Sequence, residues 1–242
     1  MRIVVAGQPK TGNVWVKHLL AEMYRLTILD ATPAAHPEAI HAFVAAGRFP
    51  ADSIYHEHIW PSVDLFEAFP KDCRVVTPLR NPYDTFVSFY HFVQRRKQAY
   101  EETGDPAAAM IDRRIDDPDV LDYLRVHYGH PLSLAVLWMR SGHTTPIRYE
   151  DLWRHPIETL ERAMESLGRV SRGAIEHAVR VASAETQLAK GGYWQVHIRT
   201  GRVGDWRKYL IDAHLQIFRD VHADAIRSLG YTVVEPPESA DQ

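Results

Sequence analysis

Arg2-Ile3-Val4-Val5-Ala6-Gly7-Gln8-Pro9-Lys10-Thr11-Gly12-Asn13-Val14-Trp15 decides the fold. Ile3 to Ala6 is an apolar run without alternation, which reads as a strand buried on both faces. Gly7 ends it. From Asn13 to Tyr24, the residues Val16, Leu19, Leu20 and Met23 recur at helical spacing, which predicts a helix with one apolar face. A strand, a glycine-bounded turn and a helix make a phosphate cradle. The first N–H groups of a helix have no partner within it, and the helix dipole favours an anion there.

Gly7 and Gly12 keep the glycine spacing of a P-loop, but Asn13-Val14 stands where a nucleoside triphosphatase has Lys and then Ser or Thr. The hydroxyl that would hold Mg²⁺ is missing, and the lysine lies inside the loop at Lys10. Such a loop can bind a phosphate and polarise a bridging oxygen without a metal.

Outward from this point, Ser53–His58, Arg74–Leu79 and Pro146–Tyr149 read as further strands. Asn81-Pro82-Tyr83-Asp84 starts a helix that runs to about Arg96: Asn81 caps, Pro82 suits the first position, and Asp84 puts an acid in the first turn. Leu132–Ser141, Pro156–Leu167 and Asp212–Leu229 are further helices. Residues 97–120 are polar and interrupted by proline, and read as a mobile segment. Pro78 within a strand predicts a local break or bulge. The alternation predicts an α/β single domain over residues 1–234, a central parallel sheet flanked by helices with a P-loop-like phosphate-binding loop, and a disordered tail over 235–242.

The 242 residues carry a net charge of −3, so no global field favours nucleic acid or an anionic membrane, and any anion site is built locally. Cys73 is the single cysteine, which excludes an intramolecular disulfide and a cysteine-rich metal site. No apolar stretch reaches membrane-spanning length, and the opening strand leaves no room for a signal peptide, so the expected address is the cytoplasm.

Pro9-Lys10-Thr11-Gly12-Asn13-Val14-Trp15 resembles the 5′-phosphosulfate loop of cytosolic-type sulfotransferases, P-K-[ST]-G-T-T-W, with Asn13 and Val14 in place of two threonines. The stretch from Arg74 to Phe92 is similar to the family's 3′-phosphate motif, in which a strand ends in R-N and a helix continues to S-[FY]-Y-H-F. Arg80 and Ser88 hold those positions. Arg199-Thr200-Gly201-Arg202-Val203-Gly204-Asp205-Trp206-Arg207 resembles the family's R-K-G-x-x-G-D-W-K loop over the 3′-phosphate. Thr200 replaces a lysine there, and Arg202 is a nearby substitute charge. Weaker echoes are Tyr149-Glu150-Asp151, whose tyrosine lies near adenine in the family, and Ser183, in the place of a T-S-F segment. The likeness spans about residues 2–210, and its middle third carries no motif.

The resemblance implies transfer of a sulfuryl group from 3′-phosphoadenosine 5′-phosphosulfate (PAPS, product PAP) to a hydroxyl or amine of a small-molecule acceptor, with no metal. The implied cofactor set is Lys10, Thr11, Gly12, Asn13, Val14, Trp15, Arg80, Ser88, Tyr149, Ser183, Arg199, Thr200 and Gly201. Lys10 would stabilise the leaving phosphate. Tyr55-His56-Glu57-His58-Ile59-Trp60-Pro61 resembles the family's K-T-H-x-P segment and gives His58 as general base, with Glu57 as the second candidate. His56 stands where the family has a lysine. His56 and His58 at i, i+2 also admit a metal pair, without a third ligand by spacing. A P-loop-type nucleotide kinase is the alternative enzyme and a non-catalytic nucleotide-binding protein the alternative outside enzymes. Arg207-Lys208-Tyr209-Leu210-Ile211-Asp212 does not match the dimer segment of animal members, so no dimer of that type is expected. The acceptor is not legible.

Overall fold

In the computed structural model, which describes residues 1–189, 191 and 200–235, the opening strand β1 (Arg2–Ala6) is the middle of a five-stranded sheet. Its fellows are β2 (Thr27–Ile28), β3 (Ser53–Glu57), β4 (Cys73–Leu79) and β5 (Thr145–Arg148), in the order β2-β3-β1-β4-β5. All four pairings are parallel. β1 pairs from Arg2↔Ser53 to Ala6↔Glu57 on one side and from Arg2↔Cys73 to Val5↔Val76 on the other.

Successive side chains of β1 point to opposite faces, and both faces are covered. Ile3 and Val5 join Leu19, Leu20 and Met23 of α1 (Asn13–Tyr24) and Leu160 and Leu167 of the helix Pro156–Leu167. Val4 and Ala6 join Ile40 and Phe43 of the helix Pro37–Ala45, Tyr55 of β3, and Leu134 and Trp138 of the helix Gly129–Ser141. The Trp138 indole N–H donates to the Ile59 carbonyl at 2.7 Å, a buried bond that ties that helix to the segment after β3.

The described residues pack as two compact units, one formed by residues 1–80 with 134–189 and 191, the other by 81–133 with 200–235. The first holds the sheet. The second is built on α4 (Pro82–Arg95), whose start is capped as expected: Asn81 Oδ1 accepts from the Tyr83 and Asp84 N–H groups. Tyr83 and Phe86 of α4 meet Phe218 of the last helix, Asp212–Ser228, and the Tyr128 hydroxyl donates to the Pro82 carbonyl at 2.8 Å.

Two expectations need correction. The segment after α4 is structured: helix Lys97–Thr103, the 3₁₀ turn Pro106–Met110 and helix Pro118–Val126. Its prolines stand at helix starts, where a missing N–H is harmless, with Asp105 and Asp117 as caps. β4 also runs unbroken through Pro78, because the ladder to β1 ends at Val76. The short edge strand β2 and the helices Val63–Ala68 and Arg172–Val181 carried no clear signal in the sequence. The expected tail over 235–242 lies, beyond Glu235, outside the described residues.

The second unit buries two histidines on its last helix, His214 fully and His222 at 3 % exposure. His214 Nε2 donates to the Ile115 carbonyl at 2.9 Å while Nδ1 accepts from the Ile211 N–H at 3.2 Å, so the neutral tautomer is fixed. His222 Nε2 donates to the Leu124 carbonyl at 2.8 Å. Burial holds both below the ordinary value of 6.5, against the opposing pull of these carbonyls and, for His214, of Asp116. The unfolded chain therefore binds more protons than the folded one below pH 6.5. Folding stability is complete above 6.5 and falls as the pH drops towards the depressed values, at about 1.4 kcal/mol per unit of depression. Thermal melts near pH 7.5 and near pH 5 will show a lower midpoint in acid, and His214→Gln/His222→Gln will narrow the gap between them.

Candidate active site

Parallel strands end at one edge, and open α/β sheets bind ligands there. The residues that directly follow four adjacent strands are His58 after β3, Gly7 after β1, Arg80 after β4 and Tyr149 after β5. Since Ala6 pairs with Glu57, Gly7 and His58 are the next step of the same register. His58 Nδ1 lies 2.6 Å from the Gly7 carbonyl. A carbonyl only accepts, so Nδ1 carries the proton and Nε2 is left with its lone pair. Burial holds the His58 imidazolium below the ordinary 6.5 and the Lys10 ammonium pushes the same way, while the Gly7 carbonyl and Glu57 oppose them. His58 is thus a neutral base at neutral pH. Glu57, the second candidate, uses Oε1 to accept the His58 N–H and Oε2 to accept the Thr32 hydroxyl.

The loop between β1 and α1 turns through two left-handed residues, Lys10 at φ 69° and Gly12 at φ 98°. For a residue with a Cβ this conformation costs about 1–2 kcal/mol. Thr11 Oγ1 and Asn13 Nδ2 both donate to the Gln8 carbonyl, at 2.8 and 2.9 Å, so these two side chains brace the loop from within. α1 begins without a side-chain cap and without an acid in its first turn. The leading N–H groups of a helix lack intrahelical acceptors, so this start can receive an anion.

Arg80 is 9 % exposed and donates from Nη1 to the Lys10 carbonyl at 3.2 Å. Its guanidinium lies 4.4 Å over the Tyr149 ring. The same ring packs edge-on to Trp15 at 5.4 Å and fills the space beside Gly12. Trp15 Nε1–H is buried without a hydrogen-bond partner among the described residues. Tyr149 is therefore a platform shared by the loop, the indole and the arginine.

A model of the sulfotransferase domain matches residues 1–230. The chain belongs to the sulfotransferase family. It is similar to sulfotransferase 6B1 of Danio rerio, 23% identical over 226 residues that cover 87% of this chain and 73% of the relative. It is likewise similar to cytosolic sulfotransferase 13 of Arabidopsis thaliana, 25% identical over 240 residues, covering 86% and 71%. Among solved structures, mouse sulfotransferase SULT7A1 complexed with PAP superposes with a TM-score of 0.67 at 20% identity over 93% of this chain and 84% of that one. Retinol dehydratase with androsterone and PAP gives 0.59 at 15% identity over 98% and 83%.

In this sulfotransferase the remaining expected residues are distributed as follows. Ser88 lies in α4 and Thr200 and Gly201 in the turn before the 3₁₀ segment Asp205–Lys208, all within the second unit. Ser88 is half-buried in a helix stretch whose neighbours are buried. The Thr200 hydroxyl donates to Asp205 at 3.3 Å. Ser183 caps the helix Ala184–Ala189, accepting from the Thr186 N–H, with its hydroxyl donating to Thr186 Oγ1 at 2.8 Å. Arg199 lies outside the described residues. No group of three or more His, Cys, Asp or Glu is placed to hold a metal among the described residues, and none of the described helices is long and apolar enough to cross a membrane. A cavity of about 390 Å³ at the opposite sheet edge, beside Cys73 and His143, includes none of the site residues.

Sequence reasoning missed Lys17, 8 % exposed one turn beyond Asn13. Burial lowers its ammonium from the ordinary lysine range and Asp30 opposes this. The only signal was a lysine among the apolar positions of α1.

A Cβ on Gly12 would lie 2.8 Å from Tyr149 Cδ2, and the φ of 98° is unfavourable for any side chain. Gly12→Ala will lower stability by at least the ~1–2 kcal/mol of the left-handed conformation. A urea or thermal melt measures this against wild type.

Proposed function

We propose that this sulfotransferase moves a sulfuryl group from PAPS to a hydroxyl or amine of a small-molecule acceptor, with His58 as general base and Lys10 on the leaving phosphate. The observation that carries the reading is the His58 Nδ1–Gly7 bond at 2.6 Å, which aims the basic nitrogen from the strand edge that also bears the Lys10 loop. The PAP named with mouse SULT7A1 and with retinol dehydratase supports the choice of cofactor. The residues present fit it: an uncapped start of α1, Lys10 within the loop, and an indole N–H without a partner at Trp15. Bound there, PAPS supplies an activated sulfuryl group on a phosphate leaving oxygen.

Each residue then has one task. His58 Nε2 takes the acceptor proton as the acceptor O–S or N–S bond forms and the S–O bond to phosphate breaks. Lys10 and the N–H groups at the start of α1 stabilise the charge that builds on the departing phosphate. Trp15 and Tyr149 offer ring faces to adenine, and Arg80, with Ser88, Arg199, Thr200 and Gly201 on sequence resemblance alone, the charge and donors for a 3′-phosphate. The proton on His58 passes to solvent. The cytosolic designation of the Arabidopsis relative supports a cytoplasmic setting.

Turnover with labelled PAPS against a panel of phenols, alcohols, sugars and amines tests the reaction. His58→Ala will remove most turnover and leave PAP affinity nearly unchanged, whereas Lys10→Ala will weaken both. Full turnover in His58→Ala moves the base elsewhere. Because burial holds His58 below the ordinary 6.5, the acid limb of the rate will lie at lower pH than an ordinary histidine would set. Glu57 raises the His58 value, so Glu57→Gln will shift that limb lower still. Arg80→Ala should cut PAP affinity by roughly tenfold to 150-fold, the equivalent of about 1.5–3 kcal/mol, and leave adenosine 5′-phosphate affinity less affected.

A further inference from the structure

α4 carries a carboxylate that the reaction does not use. Asp84 is 3 % exposed, and both its oxygens are engaged by a turn far along the chain. Oδ2 accepts the Gly204 N–H at 2.6 Å and Oδ1 the Trp206 N–H at 3.0 Å. These amides belong to the turn that follows Thr200 and Gly201. The turn is closed on itself by Asp205, which accepts the Thr200 hydroxyl at 3.3 Å and pairs with Lys208 at 2.9 Å. Gly204 has φ 79°, so its N–H is presented by a conformation that suits glycine. Trp206 stacks on Tyr83, the residue before Asp84, at 5.0 Å.

We propose that Asp84 is a positioning residue for the nucleotide: it clamps the Thr200–Trp206 turn onto α4, fixing Thr200 and Gly201 in register with Ser88. Asp84 and Ser88 are i and i+4, and so occupy one face of the helix. The face that carries Ser88 is thus the face that holds the turn. Charge-assisted bonds from a buried carboxylate to two backbone amides are short and strong, and no rotamer choice remains to the turn once both form. This inference rests on the 3′-phosphate role proposed above for Ser88, Thr200 and Gly201.

Asp84→Asn keeps size and shape but supplies one acceptor and one NH₂ group, so one of the two amides faces a donor. The test measures the affinities of wild type, Asp84→Asn and Asp84→Glu for PAP and for adenosine 5′-phosphate by calorimetry. A second measurement is amide exchange by mass spectrometry over residues 200–208. Wild type is expected to prefer PAP. Asp84→Asn is expected to lose at least tenfold of that preference with adenosine 5′-phosphate affinity unchanged, and Asp84→Glu, which retains a carboxylate, to recover part of it. Gly204 and Trp206 amides are expected to exchange slowly in wild type and fast in Asp84→Asn. A folded Asp84→Asn with the full preference for PAP overturns the proposal. If wild type does not distinguish the two nucleotides, the cofactor reading fails instead, and slow or fast exchange at the two amides then decides whether the clamp exists. If Asp84→Asn does not fold, the wild-type exchange decides: amides no slower than those of Arg207 and Lys208 overturn the clamp.

Discussion

Ala6 opposite Glu57, in a strand hydrogen-bonded on both sides, is the constraint on which the site depends. Parallel pairing makes every strand end at the same edge, and the shared register puts Gly7 beside His58 with no loop between them to tune. A slip of one residue would exchange the two buried faces of β1 and carry the histidine away from its carbonyl. The slip is opposed because each face packs on its own layer, Ile3 and Val5 against one cluster and Val4 and Ala6 against the other. The hydrophobic packing of one strand is in this way the source of the tautomer of a histidine beyond its neighbour's end.

A protein of net charge −3 must gather its cations where an anion is to bind. Lys10 and Arg80, the cations proposed for that task, are joined through a backbone carbonyl rather than kept apart. The arginine is held flat by the Tyr149 ring, and the loop is held by its own Thr11 and Asn13. The Thr11 and Asn13 side chains stiffen the backbone just ahead of α1. Little ordering is left for a ligand to bring about, which lowers the entropic cost of binding.

The elements that sequence reading located best were those with a local chemical signature. Asn81-Pro82 marks a helix start through a side-chain acceptor and a missing N–H, and the helix does begin at Pro82. The apolar run Ile3–Ala6 marks a central strand because both faces need covering. The prolines after residue 103 misled, since the same ring that breaks a helix interior also begins a helix, and only the adjacent Asp105 and Asp117 tell the two apart. Among the candidate site residues, Lys10, His58, Arg80 and Tyr149 were expected from local motifs, and the last three directly follow strands. The Gly7 carbonyl bond and the contacts that Tyr149 makes with Gly12, Trp15 and Arg80 could not be foreseen, because backbone direction and contacts between distant segments leave no mark in composition or spacing.

The contact of Tyr149 with Gly12 also limits how this chain can change over generations. The ring occupies the space where a side chain at residue 12 would stand, and the same ring carries the Arg80 guanidinium. A lineage that first gained bulk at residue 12 would distort the loop, and one that first lost the ring would leave the arginine without its support. Either step alone is harmful, so the two positions are bound to each other by epistasis.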